Sequence, residues 1–386
     1  MESVLILLGA VSFSYLLNII LFKFSKNFGV ESRQAQNVIR WSSTSKPTTG
    51  GISFYITFLL GTLLLLLWNP ELVSGRGVYL GFFTSASLAF LIGFADDAYG
   101  THPSLKFLGQ LGCGLILLGF GVHIKFFSLI SPYFIMLDYV LTLFWVVGIM
   151  NSLNMLDNMD GVTAMIATTI LVITLSMVAM SSGLSNFLFI LIAISGSFLG
   201  FLFMNWKPAK IYMGDTGSMF IGMVLAFCGI QYFWNVEASP DNISLIRKSV
   251  IPFMVFLVPI MDTTFVTIAR IRRGSSPFVG GKDHLTHQLA RVGVPEHLVP
   301  LVLGSVSIIS GLVALVATTL IPDWDSLYSI LFSLYPIFVF ALFTYLYQRG
   351  IKIAKEKSLH KQVESPTIDS ALKETLKPQA LEVQQN

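Results

Sequence analysis

The sequence predicts an all-α, polytopic integral membrane protein that crosses the bilayer about eleven times. Three observations carry this expectation. Of 386 residues, 54% are hydrophobic and only 12% are charged, about half the charged share of a soluble domain. Apolar runs of roughly 20 residues, the length that spans a ~30 Å hydrocarbon core, recur along almost the whole chain. The period-2 alternation of a membrane barrel is absent, and lipid offers backbone groups no water to bond, so the runs read as helices.

The runs fall at 3–22, 51–68, 78–95, 105–121, 135–152, 162–181, 185–204, 211–234, 249–268, 298–320 and 327–347. The first does not read as a cleaved signal: Glu2 precedes it, whereas Lys23 and Lys26 follow it, the reverse of a secretory n-region. That polarity puts the N-terminus outside, and eleven crossings then put the odd-numbered loops and the C-terminus in the cytoplasm. The positive-inside rule tests this separately. In or beside those loops and in the tail lie 20 of the 24 Lys and Arg residues; only Arg76, Lys125, Arg247 and Lys248 lie elsewhere. The net charge of +3 therefore reflects orientation and contact with anionic membrane lipid, not nucleic acid. Residues 1–349 read as one membrane domain and residues 350–386 as a polar cytoplasmic tail, largely disordered after a short helical start. Cys113 and Cys228 fall in apolar spans and read as packing residues.

Polar motifs gather on the inner loops. Loop 3 opens with Asp96-Asp97 at the end of an apolar helix, and Lys106 follows nine residues later. Adjacent carboxylates repel unless a cation or a proton is close, and a helix C-terminus disfavours them further. Such a pair is either a solvated helix end or a site, and Lys106 is either a snorkelling anchor or a phosphate partner. In loop 5, Asn151, Asn154, Asp157 and Asp160 recur every third residue. On a helical segment they share a face broadly, a stripe costly to desolvate. Hard oxygen ligands of this kind suit Mg²⁺ or the hydroxyl and imide groups of a nucleotide; the alternative is a capped turn ending at Gly161.

Span 8 begins with Gly214-Asp215-Thr216-Gly217-Ser218. Flanking glycines permit close backbone approach, and a helix N-terminus offers N–H groups to a phosphate, although Asp215 alone reads equally as an N-cap. Loop 9 runs from Asp262 through Arg270, Arg272 and Arg273 to His284 and His287, spaced i and i+3 for one helical face. The segment from Lys46 through Pro47 to Gly50-Gly51, before span 2, reads by itself as a turn with a basic anchor. An ion or lipid transporter is the competing class, because intramembrane charges also mark transport paths. Nearly uncharged span interiors, plain outer loops and the lack of a strong internal repeat argue against it.

Together these motifs resemble the polyprenyl-phosphate N-acetylhexosamine-1-phosphate transferases of glycosyltransferase family 4. The resemblance runs from about Lys46 to His287. It covers Pro-x-x-Gly-Gly, Asp96-Asp97, Asn-x-x-Asn-x-x-Asp-x-x-Asp-Gly, Gly214–Ser218 and the Pro259–Asp262 run before a basic, His-containing loop. Two positions depart from the family pattern: Asn158 stands where Gly is common, and Thr286 replaces a frequent middle His. The second departure points away from the muramoyl-pentapeptide branch, the alternative within the family, and towards the branch that uses UDP-GlcNAc or related sugars.

What the resemblance implies is a multi-pass enzyme of the bacterial inner membrane with its active site on the cytoplasmic face. It would transfer N-acetylhexosamine-1-phosphate from a UDP-N-acetylhexosamine to undecaprenyl phosphate, releasing UMP and starting a cell-envelope glycan pathway. The cofactor expected is Mg²⁺, or Mn²⁺ in its place, with Asp215 and Asn154 as ligands. Asp96, Asp97, Lys106 and Asp215 are the expected catalytic residues, with Asp96 favoured to orient or deprotonate the lipid phosphate. Lys46, Asn151, Asn154, Asp157, Asp160, Arg273, His284 and His287 are expected to bind substrate. A homodimer is compatible with this reading.

Overall fold

A run of apolar residues in lipid satisfies its backbone only by helix formation, and the computed structural model bears this out. It describes residues 2–27, 46–68, 76–181, 186–236, 244–276, 281–321 and 324–364, among which there are helices and no strand. The α-helices are α1 (Glu2–Asn27), α2 (Gly50–Trp68), α3 (Arg76–Tyr99), α4 (Pro103–Gly119), α5 (Ile135–Leu156), α6 (Val162–Ser181), α7 (Asn186–Asn205), α8 (Gly214–Cys228), α9 (Leu245–Val255), α10 (Leu257–Arg272), α11 (Leu285–Val292), α12 (Val299–Thr319) and α13 (Ser326–Glu364).

Nine spans among the described residues are long and apolar enough to cross a membrane, and the bent pair α9–α10 makes a tenth if it is counted as one. The fourth run folds as α4, whose 17 residues reach about 25 Å. The ninth is not one straight helix. It breaks at Phe256 with a bend of 81°, because Pro259 has no N–H to give the Val255 carbonyl four residues back. The last helix continues past residue 349 to Glu364 without interruption; the rest of the expected tail, 365–386, lies outside the described residues, as do Arg33 and Arg40.

Helix α8 is the core of the bundle. Every residue of α8 from Thr216 to Cys228 is buried, and α3, α5 and α2 pack around it. Aromatic rings fill the junctions: Phe54 stacks on Phe198 at 4.0 Å between centroids, and Tyr55 on Phe90 at 3.9 Å. Leu64, Phe144 and Phe338 point outward and are exposed, as expected of side chains on a lipid-facing helix surface. Both cysteines are buried and unpaired, as expected of packing residues.

Candidate active site

Glycine lets three backbones meet where α8 begins. The segment before α2 lies alongside the segment before α8: Tyr212 N donates to Pro47 O at 2.9 Å, Gly50 N to Tyr212 O at 3.0 Å and Gly51 N to Met213 O at 3.0 Å. A Cβ on Gly51 would lie 2.2 Å from Gly217 N, and one on Gly93 only 2.3 Å from Asp215 O. The Pro-x-x-Gly-Gly motif and a glycine of α3 thus bring α2 and α3 against the first turn of α8.

Asp97 closes that junction. Its Oδ1 accepts from Asp215 N at 3.0 Å, and its Oδ2 accepts from Thr216 N at 2.9 Å and Thr216 Oγ1 at 2.6 Å. A carboxylate from α3 therefore caps the N-terminus of α8, where free N–H groups and the helix dipole favour negative charge. Asp97 fixes the backbone that carries Asp215.

Asp215, Asp96 and Asn154 converge on Lys106. The Lys106 ammonium lies 3.0 Å from Asp96 Oδ2, 3.1 Å from Asp215 Oδ1 and 3.4 Å from Asn154 Oδ1. The other Asp96 oxygen accepts from Thr101 N at 2.9 Å and from the Thr101 hydroxyl. The Asn154 amide donates to Asp215 Oδ1 and, at 2.8 Å, to Ser218 Oγ. Four helices, α3, α4, α5 and α8, each contribute to this centre. It gathers two carboxylates and an amide oxygen around one ammonium, an excess of negative charge that an added cation would relieve.

The loop after α5 departs from the single stripe expected. Helix α5 ends at Leu156, so only Asn151 and Asn154 are on it. Asn151 exchanges amide bonds with Gln110, at 2.8 and 3.1 Å. Asp157, half-buried, is the residue that ends α5. Asp160 is turned away by the chain reversal: its Oδ2 accepts from Lys46 Nζ at 3.3 Å and Ala209 N at 3.0 Å. Lys46 also lies over the Tyr212 ring, 5.0 Å from its centroid.

Arg273, His284 and His287 form a further group at the end of α10 and the start of α11. The His284 ring pairs through Nδ1 with Asp262 Oδ2 at 2.9 Å, and Leu285 N donates to Asp262 Oδ1 at 2.7 Å. His284 is the N-cap residue of α11 and lies outside its helical face; both imidazoles are buried. Burial first, then the neighbouring His284, holds His287 down at about 3, so it stays neutral near pH 7. Arg273 pairs with Asp283 at 2.6 Å. Burial acts to raise the Asp283 carboxyl, but Arg273, helped by Arg270, keeps it below the usual carboxylate range. Tyr347 of α13 donates to the Asp283 carbonyl at 2.7 Å.

Residues 79–233 match the family model described as glycosyl transferase family 4. The chain is also 30% identical over 315 residues to a probable undecaprenyl-phosphate N-acetylglucosaminyl 1-phosphate transferase of Bacillus subtilis, covering 81% of this chain and 82% of the relative. The chain belongs to glycosyl transferase family 4. A decaprenyl-phosphate N-acetylglucosaminephosphotransferase of Mycolicibacterium smegmatis is 32% identical over 270 residues, 64% of this chain and 66% of the relative. A phospho-N-acetylmuramoyl-pentapeptide-transferase of Streptococcus pneumoniae is 31% identical over 201 residues, 47% of this chain and 57% of the relative. As a member of this family of phosphotransferases the protein is a multi-pass membrane transferase.

Several side chains that the sequence did not single out complete these groups. Gln110 follows Lys106 by one helical turn, a spacing that places both on one face. Asp262, which the sequence marks only as the end of the Pro259–Asp262 run and the start of loop 9 and gives no role, is a carboxylate inside an apolar run, which is a functional signal in its own right. Asp283 and Tyr347 carried no comparable signal. Among the described residues no group of three or more His, Cys, Asp and Glu could hold a metal ion. The two expected Mg²⁺ ligands, Asp215 and Asn154, are brought together, and an oxygen of each lies within 3.4 Å of the Lys106 ammonium; Mg²⁺ sites of this kind use one or two carboxylates together with substrate phosphates.

Proposed function

We propose that this protein transfers N-acetylhexosamine-1-phosphate from a UDP-sugar, UDP-GlcNAc, to undecaprenyl phosphate, releasing UMP. One observation carries the reading: Asp96 and Asp215, from different helices, meet at the single ammonium of Lys106. Joining a phosphorylated lipid to a nucleotide diphosphate brings several negative charges together, so catalysis is mainly charge neutralisation and positioning. A phosphate oxygen of the lipid attacks the sugar-side phosphorus, and the bond from that phosphorus to the bridging oxygen breaks, with UMP as leaving group. Bound Mg²⁺, held by Asp215 and Asn154, would screen the diphosphate. Lys106 neutralises the same charge from α4.

Asp96 orients Lys106 and the acceptor. A base is not required, because a phosphate monoester has its second pKa near ~6 and is largely ionised at neutral pH. Asp97, whose oxygens are occupied by the start of α8, positions Asp215. Asn151 steadies Asn154's helix face through Gln110. Asp157 and Asp160, with Lys46, hold the nucleotide; Arg273, His284 and His287 bind the diphosphate–sugar end. The excess of Lys and Arg in the odd-numbered loops supports an outside N-terminus, a cytoplasmic C-terminus and a cytoplasmic active face. Thr286 in place of a histidine favours UDP-GlcNAc over the muramoyl-pentapeptide donor.

The test is UMP release by purified protein given MgCl₂, undecaprenyl phosphate and a panel of UDP-sugars. UDP-GlcNAc should give UMP, and chelation by EDTA should stop it. No UMP from any donor that the protein demonstrably binds would overturn the reading.

A further inference from the structure

The loop after α5 and helix α11 belong to different parts of the chain, yet one side-chain hydrogen bond ties them. Thr286 Oγ1 donates to Asn158 Oδ1 at 2.5 Å across 128 positions of sequence. The rest of Asn158 is spoken for by its own turn: Nδ2 donates to Met155 O at 2.9 Å and its backbone N to Leu156 O at 2.8 Å. With Nδ2 committed to the end of α5, Oδ1 is left to face α11. Thr286 is fully buried, so its hydroxyl has no water in exchange for this partner.

We infer that the Asn158–Thr286 bond is a specificity latch: a positioning pair that sets the gap between the α5–α6 loop and α11. This deepens the transferase reading and rests on it. Asp157 precedes the latch on one side, and His284 and His287 flank it on the other. In that reading these are the groups that hold the nucleotide and the diphosphate–sugar end of the donor. The width of the gap is therefore set for the donor, while the acceptor, at Asp96, lies with α3. The pair is also matched in size. An imidazole at 286 has to enter a space that Thr286 fills without exposure and that the Asn158 amide borders; a glycine at 158 would clear it.

The experiment measures kcat and both KM values for wild type, Thr286→Val, Thr286→Ser, Thr286→His, Asn158→Gly and the Asn158→Gly/Thr286→His double variant. Thr286→Val keeps the shape and removes the hydrogen bond. It should raise KM for the UDP-sugar about five- to tenfold, the worth of one net buried hydrogen bond, and leave KM for undecaprenyl phosphate unchanged. Thr286→Ser should restore the wild-type value. Thr286→His alone should be the poorest variant, and adding Asn158→Gly should recover donor binding at least severalfold. A purely structural role would lower the active fraction and hence kcat, with both KM values constant; that outcome, or a Thr286→Val variant at wild-type KM, overturns the latch. A wild type that turns over no UDP-sugar would instead overturn the transferase reading.

Discussion

Two adjacent carboxylates should fail in different ways when neutralised. Asp97→Asn keeps the side-chain size but leaves only one oxygen at the N-terminus of α8. If that oxygen stays with Thr216, whose N and Oγ1 lie at 2.9 and 2.6 Å, the new NH₂ faces Asp215 N, now 3.0 Å from a carboxylate oxygen. One buried donor is then unpaired, at about 1–3 kcal/mol. The two bonds that remain become neutral and weaken by roughly half, and about 0.3–1 kcal/mol of helix-dipole stabilisation is lost. Release from burying a charge offsets part of this, leaving a net cost on the order of 3 kcal/mol. In Asp96→Asn, Lys106 keeps Asp215 at 3.1 Å, and one of the two carboxylates beside that ammonium disappears. Its stability cost should be smaller than that of Asp97→Asn, because the ammonium keeps a carboxylate partner, while kcat falls by about two orders of magnitude or more. Thermal unfolding in detergent, read beside UMP release, separates the two. Asp97→Asn should melt lower by on the order of 5 °C, and Asp96→Asn should melt near wild type but turn over poorly. An Asp97→Asn protein as stable as wild type, with Asp96-like loss of kcat, would refute the capping role.

Further outcomes follow from the same geometry. Gly93→Ala would set a methyl 2.3 Å from Asp215 O and should cost at least about 1–3 kcal/mol by overpacking. Gly112→Ala meets only Leu88 Cδ2 at 3.4 Å and should melt at or above wild type. Asp215→Asn should nearly abolish UMP release and shift the Mg²⁺ titration to higher concentration; an unchanged titration removes it from the metal. Because His287 is held at about 3 when folded, against ~6.5 when unfolded, the unfolded chain binds the extra proton between those values. Stability from this residue is intact above about pH 6.5 and declines by roughly 1.4 kcal/mol per pH unit below it. Melting between pH 7 and 5 should show that slope, and His287→Gln should flatten it.

How much of the site was legible depended on how local each signal was. The Asp96-Asp97 pair, the Asn-Asp loop and the start of α8 stand out because carboxylates and amides beside long apolar runs are costly unless something uses them. Which carboxylate does what was not legible: Asp96 and Asp97 are neighbours in sequence, but successive residues on a helix point about 100° apart. One therefore faces Lys106 and the other faces α8. The three-residue rhythm of Asn151 to Asp160 suggested one stripe, and the end of α5 at Leu156 broke it, sending Asp160 to Lys46 instead.

The sequence by itself determined that the chain is helical, lies in a membrane, and carries its unusual acidic and amide groups in a few short motifs. It did so because hydropathy and residue spacing are local properties, and lipid leaves an apolar segment almost no alternative to a helix. Tertiary structure alone decided the pairings: Lys106 between Asp96 and Asp215, Asp97 capping α8, Asp262 holding His284, and Thr286 bonded to Asn158. Apart from Lys106 with Asp96, each pairing links residues 22 or more apart. Such pairings depend on how the helices rotate and how closely glycine lets them approach, and neither is written in any single stretch of the chain.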